Sequence, residues 1–161
     1  MVRTVPVGLG ELKVSQDPQE VLIAYGLGSC VAVCIHDPMT GVAGMLHVLL
    51  PEANGAAPTS PARFADTGVP LLLAEASKRG AARGRLVVKI VGGAAVLALP
   101  GAAPALQVGE RNIQAVRAAL ARERLPLAAE DTGGTVGRTV QLFVRDGRVL
   151  VRTIGQGERA L

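Results

Sequence analysis

The sequence predicts a mixed α/β domain that is rich in antiparallel strand pairs and has at least two helices covering sheet faces. Two patterns carry this prediction. Short apolar runs follow one another across brief turns in both halves of the chain, and two segments with helical spacing of apolar residues lie between them. The chain has no internal repeat and no clear linker, and 161 residues amount to about one domain at the usual ~150 residues each. We therefore expect a single domain over residues 1–161.

Three strands are predicted before residue 51. The first, residues 21–25, stops at the glycine loop 26–29. The second, 30–35, ends in a turn at Asp37-Pro38. The third, 42–50, is apolar almost throughout, as a strand covered on both faces would be. The short turn between the second and third strands indicates a hairpin.

A loop and two helices are predicted in the middle of the chain. Residues 51–61 are rich in Pro, Ala, Gly and Ser, a composition typical of a surface loop. Residues 67–79 form the first helix, which stops at Gly80 and has an apolar stripe of Leu71, Leu72, Leu73 and Ala74. Residues 112–124 form the second, an amphipathic helix whose apolar positions are Ile113, Val116 and Leu120.

The remaining predicted strands lie around these helices. Residues 86–91 form a strand that ends at Gly92-Gly93. Residues 139–144 and 148–154 flank Asp146-Gly147, a dipeptide that favours a tight hairpin turn.

Composition excludes several classes of function. The chain carries a net charge of +4 from 17 Lys+Arg and 13 Asp+Glu, but the basic residues are scattered, and the aromatic residues are one Tyr and two Phe. Without basic runs or stacking platforms, we expect no nucleic-acid binding. No apolar run approaches the ~20 residues that cross a bilayer, so we expect no membrane insertion and a cytoplasmic protein. Cys30 and Cys34 are too few and too close for a disulfide framework and are expected to be reduced thiols.

Cys30 is the candidate nucleophile. It follows a glycine-punctuated turn and opens a predicted strand. Gly26 and Gly28 allow backbone N–H groups near Gly28 and Ser29 to point into a concave space, where they could stabilise an oxyanion. We expect an exposed thiol whose thiolate is favoured by these backbone dipoles.

His47 is the candidate general base. A lone His in an apolar strand is more often a core residue than a catalyst. Its strand is, however, the expected sheet neighbour of the strand that starts at Cys30, and a neutral imidazole within reach is what a cysteine nucleophile requires. Cys34 is expected to be a small buried residue, and His36, next to the turn at Asp37, is expected to be exposed and without a role.

A metal site at Cys30, Cys34, His36 and His47 is the competing interpretation. Cys30 and His36 would lie ~20 Å apart on one strand at ~3.3 Å per residue, too far for tetrahedral zinc. We therefore expect no metal. Gly92-Gly93 and Gly133-Gly134 lack the features of phosphate-binding loops and are interpreted as turns at strand ends. Residues 131–134 and Gly137-Arg138 could line a pocket.

These residues resemble a known family. The segments GLGSCVAV (26–33) and GMLHVLLP (44–51) are similar to the signature of the CheD family, the chemoreceptor glutamine deamidases of bacterial and archaeal chemotaxis. The likeness continues in the same order along the chain through FADT (64–67), KIVGGA (89–94), GERN (109–112) and EDTGG (130–134). Each piece alone is weakly specific, whereas the combination is highly specific.

The resemblance implies both activity and fold. CheD proteins hydrolyse glutamine side-chain amides on methyl-accepting chemoreceptors, and some are credited with receptor methylesterase activity; the nucleophile falls on Cys30 and the general base on His47. No cofactor is implied. The family also binds the CheY-phosphate phosphatase CheC, which occupies the deamidase surface and is stimulated. The implied fold is an α/β (α+β) sandwich of mixed, largely antiparallel sheets flanked by helices, and we expect a monomer.

One position departs from the family pattern. The family has a threonine six positions before the cysteine, whose hydroxyl holds the histidine, and this chain has Ala24 there. The neighbouring Tyr25 would point to the opposite face of its strand, so a backbone carbonyl or a water would have to replace the hydroxyl. The alternative is a regulatory CheD-like binding protein with weak or no turnover.

Overall fold

The computed structural model describes residues 1–55, 59–95 and 107–161. In these ranges the chain forms ten strands and two α-helices. The strands are β1 (Arg3–Pro6), β2 (Leu12–Ser15), β3 (Glu20–Leu27), β4 (Val31–His36), β5 (Ala43–Val48), β6 (Val87–Gly92), β7 (Leu127–Thr132), β8 (Arg138–Phe143), β9 (Val149–Thr153) and β10 (Gly157–Ala160). The helices are α1 (Ala65–Lys78) and α2 (Val108–Arg122). Neither helix is long and apolar enough to cross a membrane.

The strands form two five-stranded sheets. The first sheet has the order β1-β3-β8-β9-β10 and the second the order β2-β5-β4-β6-β7. Only β1 with β3 and β6 with β7 pair in parallel; all the other described pairs are antiparallel. The predicted α+β fold with mixed, largely antiparallel sheets flanked by helices is confirmed.

Two apolar cores divide the molecule into layers. One core lies between the sheets and joins Leu22 and Val140 of the first sheet to Ala32 and Met45 of the second. The other core lies on the opposite face of the second sheet, where both helices pack. The second sheet is therefore covered on both faces, which explains why β4 and β5 are buried at every residue.

The predicted central strands and both helices are present, with shifted ends. The hairpin of β4 and β5 is confirmed, and so are Ile113, Val116 and Leu120 as the buried face of α2. That helix begins at Val108 rather than at residue 112. Ala74 is exposed rather than part of the apolar stripe of α1, which continues at Ala76 instead. Residues 56–58 of the predicted loop lie outside the described residues.

Candidate active site

Cys30 and His47 lie on the same face of the second sheet. Cys30 immediately precedes β4, and its side chain belongs to the core between the two sheets. His47 lies in β5, directly opposite Ala32 in the register of the hairpin. Because side chains alternate along a strand, Cys30 and Ala32 share a face, and His47 is the diagonal neighbour of Cys30 on it. The expected pairing of the two strands is thus confirmed.

Both side chains are nearly enclosed. Cys30 is 7% exposed and His47 is 4% exposed. Burial raises the pKa of the Cys30 thiol. Burial also lowers the pKa of His47, against the raising effects of its hydrogen bond to Val7 and of the Glu11 charge. The expectation of an exposed thiol with a favoured thiolate is therefore wrong: the low polarity of the site favours a neutral thiol beside a neutral imidazole.

A backbone carbonyl orients the imidazole. His47 Nδ1 lies 2.9 Å from the carbonyl oxygen of Val7, and because a carbonyl only accepts, Nδ1 carries the proton and donates it. The other ring nitrogen, Nε2, is buried and has no hydrogen-bond partner, so its lone pair is available. Ala24 is fully buried, and Tyr25 points away, 60% exposed, as predicted. Val7 thus supplies the acceptor that Ala24 cannot.

The segment between β1 and β2 forms hydrogen bonds with the backbone of His47. The His47 amide donates to the carbonyl of Glu11 at 2.9 Å, and the His47 carbonyl accepts from the amide of Gly10 at 3.0 Å. Together with Val7, these contacts hold the histidine at three points. Nothing in the motif around His47 predicts these contacts, because all three partners are backbone groups far away in sequence that almost any residue would supply.

The carbonyls of the loop before β4 are all engaged. The Gly28 oxygen accepts from the Ala94 amide at 2.8 Å, and the Cys30 oxygen accepts from the Gly93 amide at 2.8 Å. The Ser29 oxygen accepts from Asn112 at 2.9 Å. Since the N–H and C=O of one peptide point in opposite directions, these bonds turn the amides of Ser29 and Cys30 the other way. Neither amide donates to a group within the described residues.

Asn112 ties the two strands of the site together. It is fully buried on α2, and its Nδ2 donates to the carbonyl of Ser29 at 2.9 Å and to that of Leu49 at 3.1 Å. One side chain therefore links the residue before Cys30 to the chain just after His47. The sequence contains a signal for it, since Asn112 is a polar residue directly before the apolar positions of an amphipathic helix.

Glycines at the end of β6 allow the backbone to approach Cys30. Gly92 has φ +120°, and a Cβ there would lie 2.2 Å from the Cys30 carbonyl oxygen. Gly93 has φ +73° and donates to that same oxygen. The interpretation of Gly92-Gly93 and Gly133-Gly134 as turns at strand ends is confirmed, since all have positive φ and lie at the ends of β6 and β7. The first pair also shapes the candidate site.

The other residues that the sequence singled out are not part of the Cys30 and His47 pair. Cys34 is buried as expected, and burial raises its pKa to about 12. The expectation that His36 is exposed is wrong, because β4 ends under Gly147, and the ring is 6% exposed. Within residues 1–55, 59–95 and 107–161, no His, Cys, Asp or Glu cluster could hold a metal ion. Asp131, Gly134 and Arg138 line a cavity of about 390 Å³.

Comparisons with known proteins show what this chain is similar to. Residues 49–153 match the family described as CheD chemotactic sensory transduction, a range that begins just after His47. The chain is 51% identical over 157 residues, 96% of this chain and 95% of the relative, to the "Probable chemoreceptor glutamine deamidase CheD" of Symbiobacterium thermophilum. It is 42% identical over 153 residues, 95% of this chain and 94% of the relative, to the "Chemoreceptor glutamine deamidase CheD" of Thermotoga maritima. A probable deamidase of Desulfitobacterium hafniense is 41% identical over 161 residues, the full length of both chains.

Proposed function

The chain belongs to the CheD family, and from this premise we propose that it hydrolyses glutamine side-chain amides on methyl-accepting chemoreceptors, with Cys30 as nucleophile and His47 as general base. The observation that carries the proposal is the fixed tautomer of His47. Its Nδ1 is bound to the Val7 carbonyl, and its Nε2 has a free lone pair on the sheet face that also carries Cys30. A histidine held in this state can accept the proton of a thiol.

The reaction proceeds in two halves. Nε2 takes the proton of Cys30 as Sγ bonds to the amide carbon, and the electron pair of the C=O bond moves to oxygen. Backbone N–H groups of the loop at Gly28 and Ser29 stabilise that oxyanion. They include the N–H groups of Ser29 and Cys30. The C–N bond then breaks, and the proton on Nε2 leaves with nitrogen as ammonia. Nε2 then takes a proton from a water molecule, and the oxygen of that water bonds to the thioester carbon. The C–S bond breaks to release glutamate, and the proton on Nε2 passes to Sγ.

Burial determines how the thiol is activated. Because the pKa of Cys30 is raised by burial, little thiolate exists before substrate binds. Proton transfer to His47 must therefore accompany attack rather than precede it. The near-exclusion of water strengthens the amide contacts to the oxyanion, which offsets part of this cost.

Mass spectrometry of receptor fragments tests the proposal. Incubation with the chain should convert particular glutamines to glutamate, which is detected as the small mass increase when the side-chain NH2 is replaced by OH. Cys30→Ala should abolish the conversion, and Cys34→Ala, which removes a buried thiol on the same strand face, should retain it. No conversion by the wild-type chain, where a threonine-bearing relative converts the same fragments, would overturn the enzymatic proposal.

A regulatory binding protein is the second candidate function. Ala24 in place of the orienting threonine and the raised pKa of Cys30 favour it, whereas the Val7 contact favours turnover. Ala24→Thr distinguishes the two. We expect the wild-type chain to turn over and the variant to gain little, because His47 Nδ1 already has its partner. Activity that appears only in the variant would support the binding protein instead.

Family membership also suggests further partners. We infer that the chain binds a CheC phosphatase where one is encoded, and that it is otherwise a monomer. We also infer that the same Cys30 supports methylesterase activity. The net charge of +4 suits docking on acidic receptor helices. Chromatography of the chain with and without CheC, at matched concentrations, tests both the monomer and the complex.

A further inference from the structure

The peptide bond between Val7 and Gly8 has partners at both ends. Its carbonyl accepts from His47 Nδ1 at 2.9 Å. Its N–H, on Gly8, donates to Glu11 Oε1 at 2.7 Å. A single rigid peptide unit therefore lies between a carboxylate and the imidazole of the candidate general base.

We propose that Glu11 is a positioning residue for His47 and acts through the Val7–Gly8 peptide. The arrangement has the order carboxylate, peptide, imidazole. It provides this chain with the orienting and charge-stabilising partner that Ala24 cannot supply. The proposal rests on the proposed function, since positioning matters to catalysis only if His47 acts as the base.

The peptide transmits both geometry and charge. A carboxylate bond to the N–H fixes the plane of the peptide and so the direction of the Val7 carbonyl. It also polarises the peptide, which strengthens that carbonyl as an acceptor. When His47 gains a proton during the reaction, the polarised carbonyl stabilises the imidazolium more than an unpolarised one would. The Glu11 charge raises the pKa of His47 accordingly.

Substitutions at Glu11 separate this role from a structural one. Glu11 is exposed, and its backbone carbonyl, not its side chain, pairs with the His47 amide. Replacing the side chain therefore leaves the fold and the pairing of β2 with β5 intact. Glu11→Gln keeps an oxygen acceptor and removes the charge, whereas Glu11→Ala removes both. Glu75→Gln, on α1, is the matched control because it also removes one surface carboxylate.

The first measurement is the titration of the His47 ring by NMR, which needs no substrate. We expect the pKa of His47 to fall in Glu11→Gln and Glu11→Ala and to stay unchanged in Glu75→Gln. The melting temperature should be similar in all three variants. An unchanged His47 pKa in both Glu11 variants would overturn the proposal even in a chain with no deamidase activity.

The second measurement is deamidation of receptor fragments. Glu11→Ala should lower kcat by about tenfold, the lower end of the losses found when the hydrogen-bond partner of a metal-bound histidine is removed, and should leave KM nearly unchanged. The acid limb of its kcat/KM profile should move to lower pH with the His47 pKa. A rise in KM with kcat and the acid limb unchanged would instead assign Glu11 to substrate binding and overturn the positioning role. Absence of activity in the wild-type chain would count against the proposed function and leave the titration as the test of Glu11.

Discussion

At the scale of single residues, burial acts on Cys30 and His47 in opposite directions. It raises the pKa of the thiol and lowers that of the imidazole, because each charged form loses hydration. The resting pair is neutral over a wide pH range. This distinguishes the site from cysteine enzymes whose nucleophile rests as a thiolate beside an imidazolium.

The first prediction is a broad bell-shaped pH profile of kcat/KM. In the proposed mechanism, the active form has a neutral His47 and a protonated Cys30. The midpoint of the acid limb should lie at a pH below the ordinary imidazole pKa of 6.5. The midpoint of the alkaline limb should lie at a pH above the ordinary thiol pKa of 9.0. Steady-state deamidation from pH 5 to 10 measures both limbs. An activity maximum confined to the region between a low thiol pKa and a high imidazole pKa would contradict this.

The two cysteines should differ in reactivity. Cys30 keeps a small exposed area, whereas burial raises the pKa of Cys34 to about 12. We expect iodoacetamide to modify Cys30 slowly, at a rate that rises with pH, and to leave Cys34 unmodified until the chain unfolds. Peptide mapping after labelling of the native and urea-unfolded chains reads both sites. Native labelling of Cys34 at the rate of Cys30 would contradict it.

At this scale the sequence predicts the two residues of the candidate site, Cys30 and His47, but not the contacts that support them. Cys30 and His47 have distinctive side chains in a distinctive setting, so the sequence singles them out. The partner of His47 Nδ1 is the Val7 carbonyl, a group that every residue has. The burial of Cys30 depends on the first sheet packing over it, which no local pattern describes.

At the scale of elements, strands with a buried face were predictable and edge strands were not. β1 and β10 are four residues long and mostly exposed, so they show no apolar alternation. β2 and β7 lie at the edges of the second sheet and are only partly buried. Backbone pairing with a neighbour, rather than side-chain pattern, makes these segments strands.

The end of β6 should be intolerant of any side chain at Gly92. Gly92→Ala would place a Cβ 2.2 Å from the Cys30 carbonyl oxygen at φ +120°, so the loop that carries Cys30 must move. We expect a loss of deamidation together with a stability cost of about 1–3 kcal/mol. Gly84→Ala, where no atom lies within 4 Å, is the control and should keep both. Urea unfolding and kcat of the two variants decide it, and a fully active Gly92→Ala would refute the expectation.

Asn112 should couple the helix layer to the site. Asn112→Leu leaves the carbonyls of Ser29 and Leu49 without their donor, at a cost of about 1–3 kcal/mol for buried unpaired groups. It also removes the link between the segment that carries Cys30 and the strand that carries His47. We expect lower kcat as well as lower stability. Ile113→Val, at a cost of about 0.5–1.5 kcal/mol, removes packing from the same helix and should lower stability only. Equal kcat in the two variants would refute the coupling.

At the scale of the whole molecule, the burial of a strand indicates which layer it belongs to, whereas the order of the strands along the chain does not. Consecutive strands are divided between sheets: β1 and β3 belong to the first, β2, β4 and β5 to the second. The apolar run of β5 indicated a strand covered on both faces, and the structure agrees. Each of the two parallel pairings joins strands that are separated along the chain by another element, β2 in one case and α2 in the other, and no turn signal marks them.

Stability should fall below neutral pH. Burial lowers the pKa of both His36 and His47 in the folded chain. The unfolded chain therefore binds more protons as pH drops below 6.5, and the free energy of unfolding decreases through that window. The pKa of Asp37, lowered by its hydrogen bonds with Arg85, adds a further loss only below its ordinary value of 3.8. Urea titrations at pH 7.5, 6.0 and 5.0 measure the first loss, and His36→Gln should reduce it; a flat dependence would contradict the burial of both rings.

Because the acceptor for His47 is the backbone carbonyl of Val7, a mutational screen cannot detect it. A saturation library at position 7 would select only for an apolar residue that packs, because all twenty amino acids offer the same oxygen to His47. Codon substitutions along the whole chain would detect the side chains of Cys30 and His47 and would miss the carbonyl that orients the imidazole. Semisynthesis that replaces the amide at the 7–8 junction with an ester would weaken that oxygen and delete the N–H, exposing a main-chain contributor that codon changes leave hidden.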